Sequence, residues 1–585
     1  MRVFLELKWY FIQERRRYSL GILILASVSL LSLLPPYVVG MIVDHIDQNT
    51  LTPQILFNWM TALFGLAVTV YILRYIWRIM IFGSSIRLAR QLRNDLYEHF
   101  TKQSARFFQT KRTGDLMAHS TNDIRAVEQT AGAGVLTLVD SLTLGGFVII
   151  TMAVSISWEL TVIALLPMPL MALAVSKYGF MLHKRFAGAQ AAFSRLNDKV
   201  QESMSGIRVT KTFGNEKDDV AAFRDESANV VKKNIDVAKV DALFDPTIML
   251  IVGSSYFLSI SAGGYFVVNE TLTIGQLTSF NVYLGMLIWP MLAFGWLFNI
   301  VEKGRASYGR IRTILQEEPD IEDRRNAVNT PPRGDIFFDI KRFYFFEGQQ
   351  PALENISIQV TRGQTLGIAG KTGSGKSTLV RTLIRDAEIQ DGMIYFAGLP
   401  ISEYTLDALR SSVGYVPQDH FLFSATIADN IAFARPDAPY TDIINAASYA
   451  AVHDDITAFK DGYETVVGER GVTLSGGQKQ RISIARALLA DPEVLILDDS
   501  LSAVDAKTEE TILTNLRALR KNKTTIITAH RLSAIQHAGQ IVVLENGRIA
   551  EQGTHRQLMQ KPSWYRRMYE RQQLESLIEQ GGDDL

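Results

Sequence analysis

The chain has 585 residues, with 60 basic and 60 acidic side chains for a formal net charge of zero, and no cysteine. The charge balance gives no electrostatic pull toward nucleic acid. The lack of cysteine excludes a disulfide framework, a thiol nucleophile and a thiolate-ligated metal, and the nine histidines show no ligand-like spacing.

Composition changes along the chain. Long apolar runs fill residues 1 to about 310, whereas short apolar runs alternate with charged helical stretches from about 333 onward, which predicts a membrane domain followed by a water-facing one. Residues 1–17 carry Trp9, Tyr10, Phe11 and several charges, a composition suited to a short helix in the membrane interface. Arg15-Arg16-Arg17 before the apolar run Tyr18 to Val43 superficially suggests a secretory signal. The run is too long for one and lacks a small-residue cleavage site, so it reads as a retained transmembrane helix.

Six segments are long enough to cross about 30 Å of hydrocarbon at roughly 1.5 Å per residue. They are 18–43, 55–84, 133–156, 158–181, 245–268 and 274–301. Arg74 and Arg78 interrupt the second, where they must snorkel, pair or face a cavity. The connections 44–54, 156–159 and 269–273 contain no Lys or Arg, whereas 85–132 and 182–244 are rich in both. The positive-inside rule therefore predicts cytoplasmic long connections and cytoplasmic termini. Those connections read as helices continuing out of the bilayer, with breaks at Lys111-Arg112-Thr113-Gly114-Asp115 and Gly206-Ile207-Arg208.

Asp140 interrupts the third span, Asp245-Pro246 opens the fifth, and Trp289-Pro290, Phe294, Trp296 and Phe298 stud the sixth. A carboxylate beside aromatic faces attracts an amphipathic cation. Helix pairing and plain packing are the competing readings of the same residues.

Residues 311–332, with Glu317, Glu318, Pro319 and Pro331-Pro332, read as a linker. A predicted strand, Ile336 to Ile340, leads to Phe343-Tyr344-Phe345-Phe346. The apolar run Thr365 to Ala369 then precedes Gly370-Lys371-Thr372-Gly373-Ser374-Gly375-Lys376-Ser377, and a helical stretch from Thr378 to Arg385 follows. In this strand, loop and helix setting, backbone N–H groups cradle a β-phosphate, Lys376 reaches the β- and γ-phosphates, and Ser377 ligates Mg²⁺. The chain is expected to bind ATP with Mg²⁺.

Leu474-Ser475-Gly476-Gly477-Gln478 precedes the helical stretch Gln480 to Leu489, so free N–H groups meet an anion there. Val494 to Leu497 reads as a strand buried on both faces, ending in Asp498-Asp499 at the edge where parallel sheets bind ligands. An Asp there can hold Mg²⁺.

The LSGGQ run at Leu474 to Gln478 is the signature of the ATP-binding cassette (ABC) family, which the chain resembles over its whole length. Similar landmarks follow in family order: Gln418 after Val413 to Pro417, Glu469 in the VGERG run, Ser502-Ala503-Val504-Asp505, and His530 after Thr524 to Thr528. The resemblance implies an interfacial elbow helix at 1–17 and a six-helix, exporter-type α-helical transmembrane domain at 18–310 with long cytoplasmic extensions. After the linker it implies an α/β P-loop cassette at 333–585 with a helical tail, Trp564 to Gln580, that carries no further signal. Coupling helices are implied near 113–123 and 206–216.

The same resemblance implies roles residue by residue. Phe345, or its neighbour Tyr344, stacks on adenine; Gly370, Thr372, Gly373, Ser374, Gly375, Lys376, Ser377 and Thr378 hold the phosphates. Ser377, Gln418 and Asp498 surround Mg²⁺, and His530 contacts the γ-phosphate. Because family cassettes meet head to tail, Ser475, Gly476, Gly477 and Gln478 complete a partner's site, and Asp505 connects the two sites.

One position departs from the pattern. Asp499 stands where hydrolytically competent members carry a Glu that orients the attacking water, and its carboxylate is one methylene shorter. A displacement on the order of 1 Å costs roughly a hundredfold in rate. The chain is therefore most like the degenerate-site subunits of heterodimeric bacterial multidrug exporters. The expected partners are a second half-transporter, the lipid bilayer of the bacterial cytoplasmic membrane and small amphipathic substrates, with no nucleic acid. A homodimeric lipid or peptide exporter and an ATP-gated channel share the architecture and stand as alternatives.

Overall fold

The computed structural model describes residues 2–345, 350–468 and 473–582. It divides into two compact units, Met1–Thr101 with Thr113–Glu317, and Lys102–Arg112 with Glu318–Leu585.

The first unit is all helix. Among the described residues six stretches are long and apolar enough to cross a membrane: Arg15–Asp47, Pro53–Lys102, Thr113–Ile156, Trp158–Ser205, Glu216–Val268 and Ile274–Leu315. Each encloses one segment read from the sequence. Arg74 and Arg78 do not break the second, which runs as one helix from Pro53 to Lys102. Three boundaries shift. Arg15 already begins the first long helix, whose lead-in is two short helices, Arg2–Glu6 and Lys8–Gln13. The sixth helix runs on to Leu315, past the predicted start of the linker at 311. The first coupling helix, placed by resemblance near 113–123, is corrected. The short separate helix is Ala105–Thr110, bounded by extended backbone at Ser104 and Lys111, and Thr113 already opens the third long helix. In the other long connection the separate helix is Ile207–Phe213.

Buried hydroxyls tie these helices together by donating to carbonyls of neighbours. Pro35 and Pro36 lack amide hydrogens and the first long helix breaks just before them. Tyr283 Oη donates to Leu33 O at 2.6 Å and Ser279 Oγ to Pro36 O at 2.9 Å. Tyr10 Oη donates to Ser84 O at 2.6 Å, and Tyr18 Oη to Ala131 O at 3.1 Å. The first and sixth helices touch backbone to backbone, since a Cβ on Gly275 would lie 2.1 Å from Gly40 O. Asp44 completes this contact, accepting from the Gly275 amide at 2.8 Å and from Thr273 Oγ1 at 2.8 Å.

Among its described residues the second unit holds ten strands: β1 (Ile336–Phe343), β2 (Leu353–Val360), β3 (Thr365–Gly370), β4 (Asp391–Phe396), β5 (Leu399–Pro400), β6 (Val413–Val416), β7 (Val494–Asp498), β8 (Thr524–Thr528), β9 (Gln540–Glu545) and β10 (Arg548–Gly553). One sheet is antiparallel in the order β2-β1-β4-β5; the other runs β10-β9-β3-β8-β7-β6. In the second sheet β9, β3, β8, β7 and β6 are parallel, with β10 an antiparallel edge. Strands β7 and β8 are buried at every position, as central parallel strands covered on both faces must be. Their C-terminal ends lie beside that of β3, so three loops leave the sheet at one edge.

Gly275→Val is expected to destabilise the first unit by about 1–3 kcal/mol, because the nearest facing atom is a backbone carbonyl that cannot repack and the Asp44 carboxylate beside it is held in hydrogen bonds. Thermal unfolding of the purified chain measures this. Gly264→Ala, where an added Cβ meets nothing within 4 Å, should leave the midpoint unchanged.

Candidate functional site

The glycine loop leaves β3 and turns into the helix Lys376–Leu383. Gly373 and Gly375 sit at φ +79° and +102°, a left-handed backbone that glycine adopts without strain. The turn aims the first N–H groups of the helix at the space over the sheet edge, the arrangement that binds phosphate. Lys376 Nζ donates to Gly370 O at 2.8 Å and to Lys371 O at 3.1 Å, which holds the ammonium over the loop. Burial pushes its pKa down, against the pull of Asp499 and Asp498. Ser374 Oγ, buried in the same loop, has no hydrogen-bond partner among the described residues.

Asp498 ends β7 and is fully buried. Its Oδ1 accepts from Thr528 Oγ1 at 2.7 Å and from Ser377 Oγ at 2.9 Å, and its Oδ2 accepts from Tyr415 Oη at 2.9 Å. Sheet register makes this possible: Asp498 pairs with Thr528, and Tyr415 with Ile496 one strand over. Burial pushes the Tyr415 phenol up to about 12, which keeps it a donor at neutral pH. Gln418 lies exposed two residues beyond the end of β6, whose last residue Val416 pairs with Leu497. The Ser377 hydroxyl and the Asp498 carboxylate, in contact at 2.9 Å, form an oxygen donor pair. It fits Mg²⁺, which takes one or two protein carboxylates together with phosphate oxygens.

Asp499 adopts φ +47°, in the left-handed region that Asp tolerates better than most residues. Its amide donates to Thr528 Oγ1 at 3.0 Å, its carbonyl accepts from Ser502 Oγ at 3.0 Å, and its Oδ1 accepts from the His530 amide at 3.4 Å. Burial raises its pKa, opposed by His530 and Lys376. The His530 side chain is exposed, and its backbone is fixed from an unexpected source. Gln572, on the tail helix Trp564–Gly582, donates to His530 O at 2.8 Å and accepts from the Leu532 amide at 2.8 Å.

The signature opens the helix Gly476–Leu489 through a reciprocal cap. Ser475 Oγ accepts from the Gln478 amide at 3.2 Å, and Gln478 Oε1 accepts from the Ser475 amide at 3.0 Å. Asp455 braces this cap, accepting from Gln478 Nε2 at 3.1 Å and from Arg481 Nη1 at 2.8 Å. A Cβ on Gly477 would lie 3.0 Å from Ala503 O, so the signature glycine allows the Ser502–Asp505 turn to pack against it. Gln480 joins the two, accepting from the Ala503 amide at 3.1 Å and donating to Asp499 O at 3.5 Å. Asp505 caps the helix Ala506–Leu519, accepting from the Thr508 amide at 2.9 Å. Among the described residues no hydrogen bond joins residues 475–478 to the glycine loop.

Tyr344 and Phe345 both line a cavity of about 160 Å³ with Thr378 and Arg381. Phe345 packs edge-on to buried Phe343 at 5.2 Å between centroids, while the Tyr344 backbone is held by Gln390 at 3.0 and 3.2 Å. Glu469, Phe346 and the side chain of Phe294 lie outside the described residues. Sequence reasoning missed Thr528, Tyr415, Asp455, Gln480 and Gln572. Thr528 was readable as the last residue of a predicted strand, whereas the others act on partners 19 to 83 positions away.

Comparison with known proteins agrees with this geometry. Residues 18–291 match the family described as ABC transporter transmembrane region, and residues 353–502 match the family described as ABC transporter. The chain is 49% identical to the multidrug resistance-like ATP-binding protein MdlA of Escherichia coli (strain K12), over 99% of this chain and 98% of that protein. It is 46% identical to the probable multidrug resistance ABC transporter ATP-binding/permease protein YheI of Bacillus subtilis (strain 168), again over 99% and 98%. A solved bacterial Atm1-family ABC exporter with ATP bound superposes with a TM-score of 0.78 at 26% identity, over 95% of this chain and 99% of that one.

Burial works against the charge on Asp455, but the hydrogen bonds from Gln478 and Arg481 outweigh it and hold the carboxyl below the usual range. Its stabilisation is therefore full above the unfolded value of about 3.9 and is lost as pH falls through the lower folded value. Asp455→Asn should lower the thermal midpoint at neutral pH. The gap between variant and wild type should shrink below about pH 4, measured by thermal unfolding across that range.

Proposed function

The chain belongs to the ABC transporter family, as an ATP-driven exporter whose membrane region and cassette share one polypeptide, and on that premise we propose that it is one half of a heterodimeric multidrug exporter with a slow ATP site of its own. The observation that carries this reading is Asp499. It stands at the sheet edge beside the Mg²⁺-binding carboxylate, where the family places a Glu. Its Oδ1 accepts from the His530 amide, so its carboxylate is already engaged within the chain.

In the proposed dimer the two cassettes meet head to tail. Lys376, the loop amides, Ser377 and Asp498 hold one ATP, and a partner's signature covers it. Ser475, Gly476, Gly477 and Gln478 of this chain cover the partner's ATP, with Asp505 between the two sites. Tyr344 or Phe345 stacks on the adenine, and His530 reaches the γ-phosphate. Mg²⁺, when bound, neutralises charge on the β- and γ-phosphates. The separation of the signature cap from the glycine loop within one chain supports a site shared between two chains. ATP binding closes the cassettes and turns the membrane helices outward; hydrolysis, chiefly at the partner's site, resets them. The cargo is an amphipathic or hydrophobic compound, in keeping with the names of the relatives. The setting is the bacterial cytoplasmic membrane, with both termini and the cassette in the cytoplasm.

The purified chain alone in lipid is expected to show near-zero steady-state ATPase, and Asp499→Glu to raise it by tenfold or more, toward the roughly hundredfold that a water displaced by about 1 Å costs. Brisk wild-type turnover as a homodimer contradicts the slow-site reading.

A further inference from the structure

A cavity of about 290 Å³ opens among the first, second, third and sixth long helices of the membrane unit. Its wall carries Arg74 and Arg78, one turn apart on the second helix, Asp140 on the third, and the indoles of Trp77 and Trp289. By sequence, Asp140 among aromatics is an attractor of cations. The fold reverses that sign, because two guanidiniums share the cavity with the single carboxylate. Arg74 is the charged neighbour of Asp140, which leaves the charge of Arg78 in excess.

Three features of the wall point to a ligand. Both arginines are exposed and neither forms an ion pair among the described residues, an arrangement a membrane span tolerates only where the charge faces water or a bound group. The Arg78 guanidinium lies 5.6 Å from the centroid of the Trp77 ring, close enough for a cation–π contact that leaves its N–H fork to a planar anion. Trp77 is only 4% exposed, yet its indole N–H has no acceptor among the described residues.

Building on the exporter reading above, we propose that this cavity takes the anionic head group of an amphipathic substrate, a carboxylate, sulfonate or phosphate. Arg78 and Arg74 hold the head group, and the apolar part lies against Trp289 and Leu144. Asp140 orients Arg74 and repels a second negative charge, so monoanions are preferred to polyanions.

The test is equilibrium binding to the full chain in phosphatidylcholine nanodiscs, with empty nanodiscs as blank. The probes are a dansyl-labelled undecanoate and the matched dansyl-labelled undecylamine. Wild type should bind the undecanoate at least about tenfold more tightly, the scale of one charge-assisted hydrogen bond. Arg78→Gln should erase most of that ratio, Arg78→Lys should keep part of it and so control for folding, and Asp140→Asn should increase it. Equal binding of the two probes, preference for the amine, or a ratio unchanged in Arg78→Gln overturns the proposal. Adding phosphatidylglycerol distinguishes sources: competition assigns the site to a lipid head group, and its absence to a free amphiphile, the anionic chemistry standing in both cases. ATP-driven uptake of the undecanoate into proteoliposomes holding the assembled exporter, this chain together with its partner, separates the two readings. Anion-selective binding without uptake keeps the head-group site and removes the exporter reading, whereas uptake of the amine alone overturns the head-group site and keeps the exporter.

Discussion

A fully buried carboxylate at the end of β7 sets the terms for the cassette. Leaving a buried charge without partners costs about 3–5 kcal/mol, so Asp498 requires donors, and it draws three hydroxyls from three places. Thr528 comes from the neighbouring strand, Tyr415 from the strand on the other side, and Ser377 from the first turn of the glycine-loop helix. Satisfying that one group fixes the ends of β6, β7 and β8 against the loop that receives the phosphates. The same hydroxyl and carboxylate that balance each other are the donors proposed to hold Mg²⁺. Structural and catalytic demands thus fall on the same atoms.

Asp499 occupies the next position, and its carboxylate receives none of these hydroxyls. Its backbone is held on both sides, by Thr528 and by Ser502, so the side chain cannot make up a missing methylene by moving the chain. Gln480 ties its carbonyl to the signature helix, and Gln572 ties the His530 carbonyl to the tail. Hydrogen bonds thus hold the backbone at this edge from several sides, and the proposed slow site turns on the length of one side chain.

Where a motif is a run of contiguous residues, its strand, loop or helix setting was readable in the sequence. The glycine loop, the signature and the strand ending in Asp498-Asp499 are each local patterns whose strand or helix context is readable beside them. Asp455 and Gln572 were illegible because each acts through a fold-level contact, with nothing in its own neighbourhood to mark it. The first coupling helix was placed too late because the break at Lys111 to Asp115 looked like its beginning. Extended backbone at Ser104 and Lys111 puts the separate helix before that break. The surroundings of Asp140 were open in the sequence for a similar reason, since Arg74 and Arg78 sit on another helix and only the packed spans bring the three together. Periodicity reports which face is apolar, not which charges meet across helices.

The central claim, that ATP is bound at Lys376 and Asp498 but not efficiently hydrolysed beside Asp499, is tested most directly by the identity of the nucleotide this chain retains during turnover. With the assembled exporter cycling on a photoreactive, radiolabelled ATP analogue and then cross-linked, the label on this chain should be recovered as the triphosphate. Recovery mainly as diphosphate, at the rate of the overall cycle, contradicts the account.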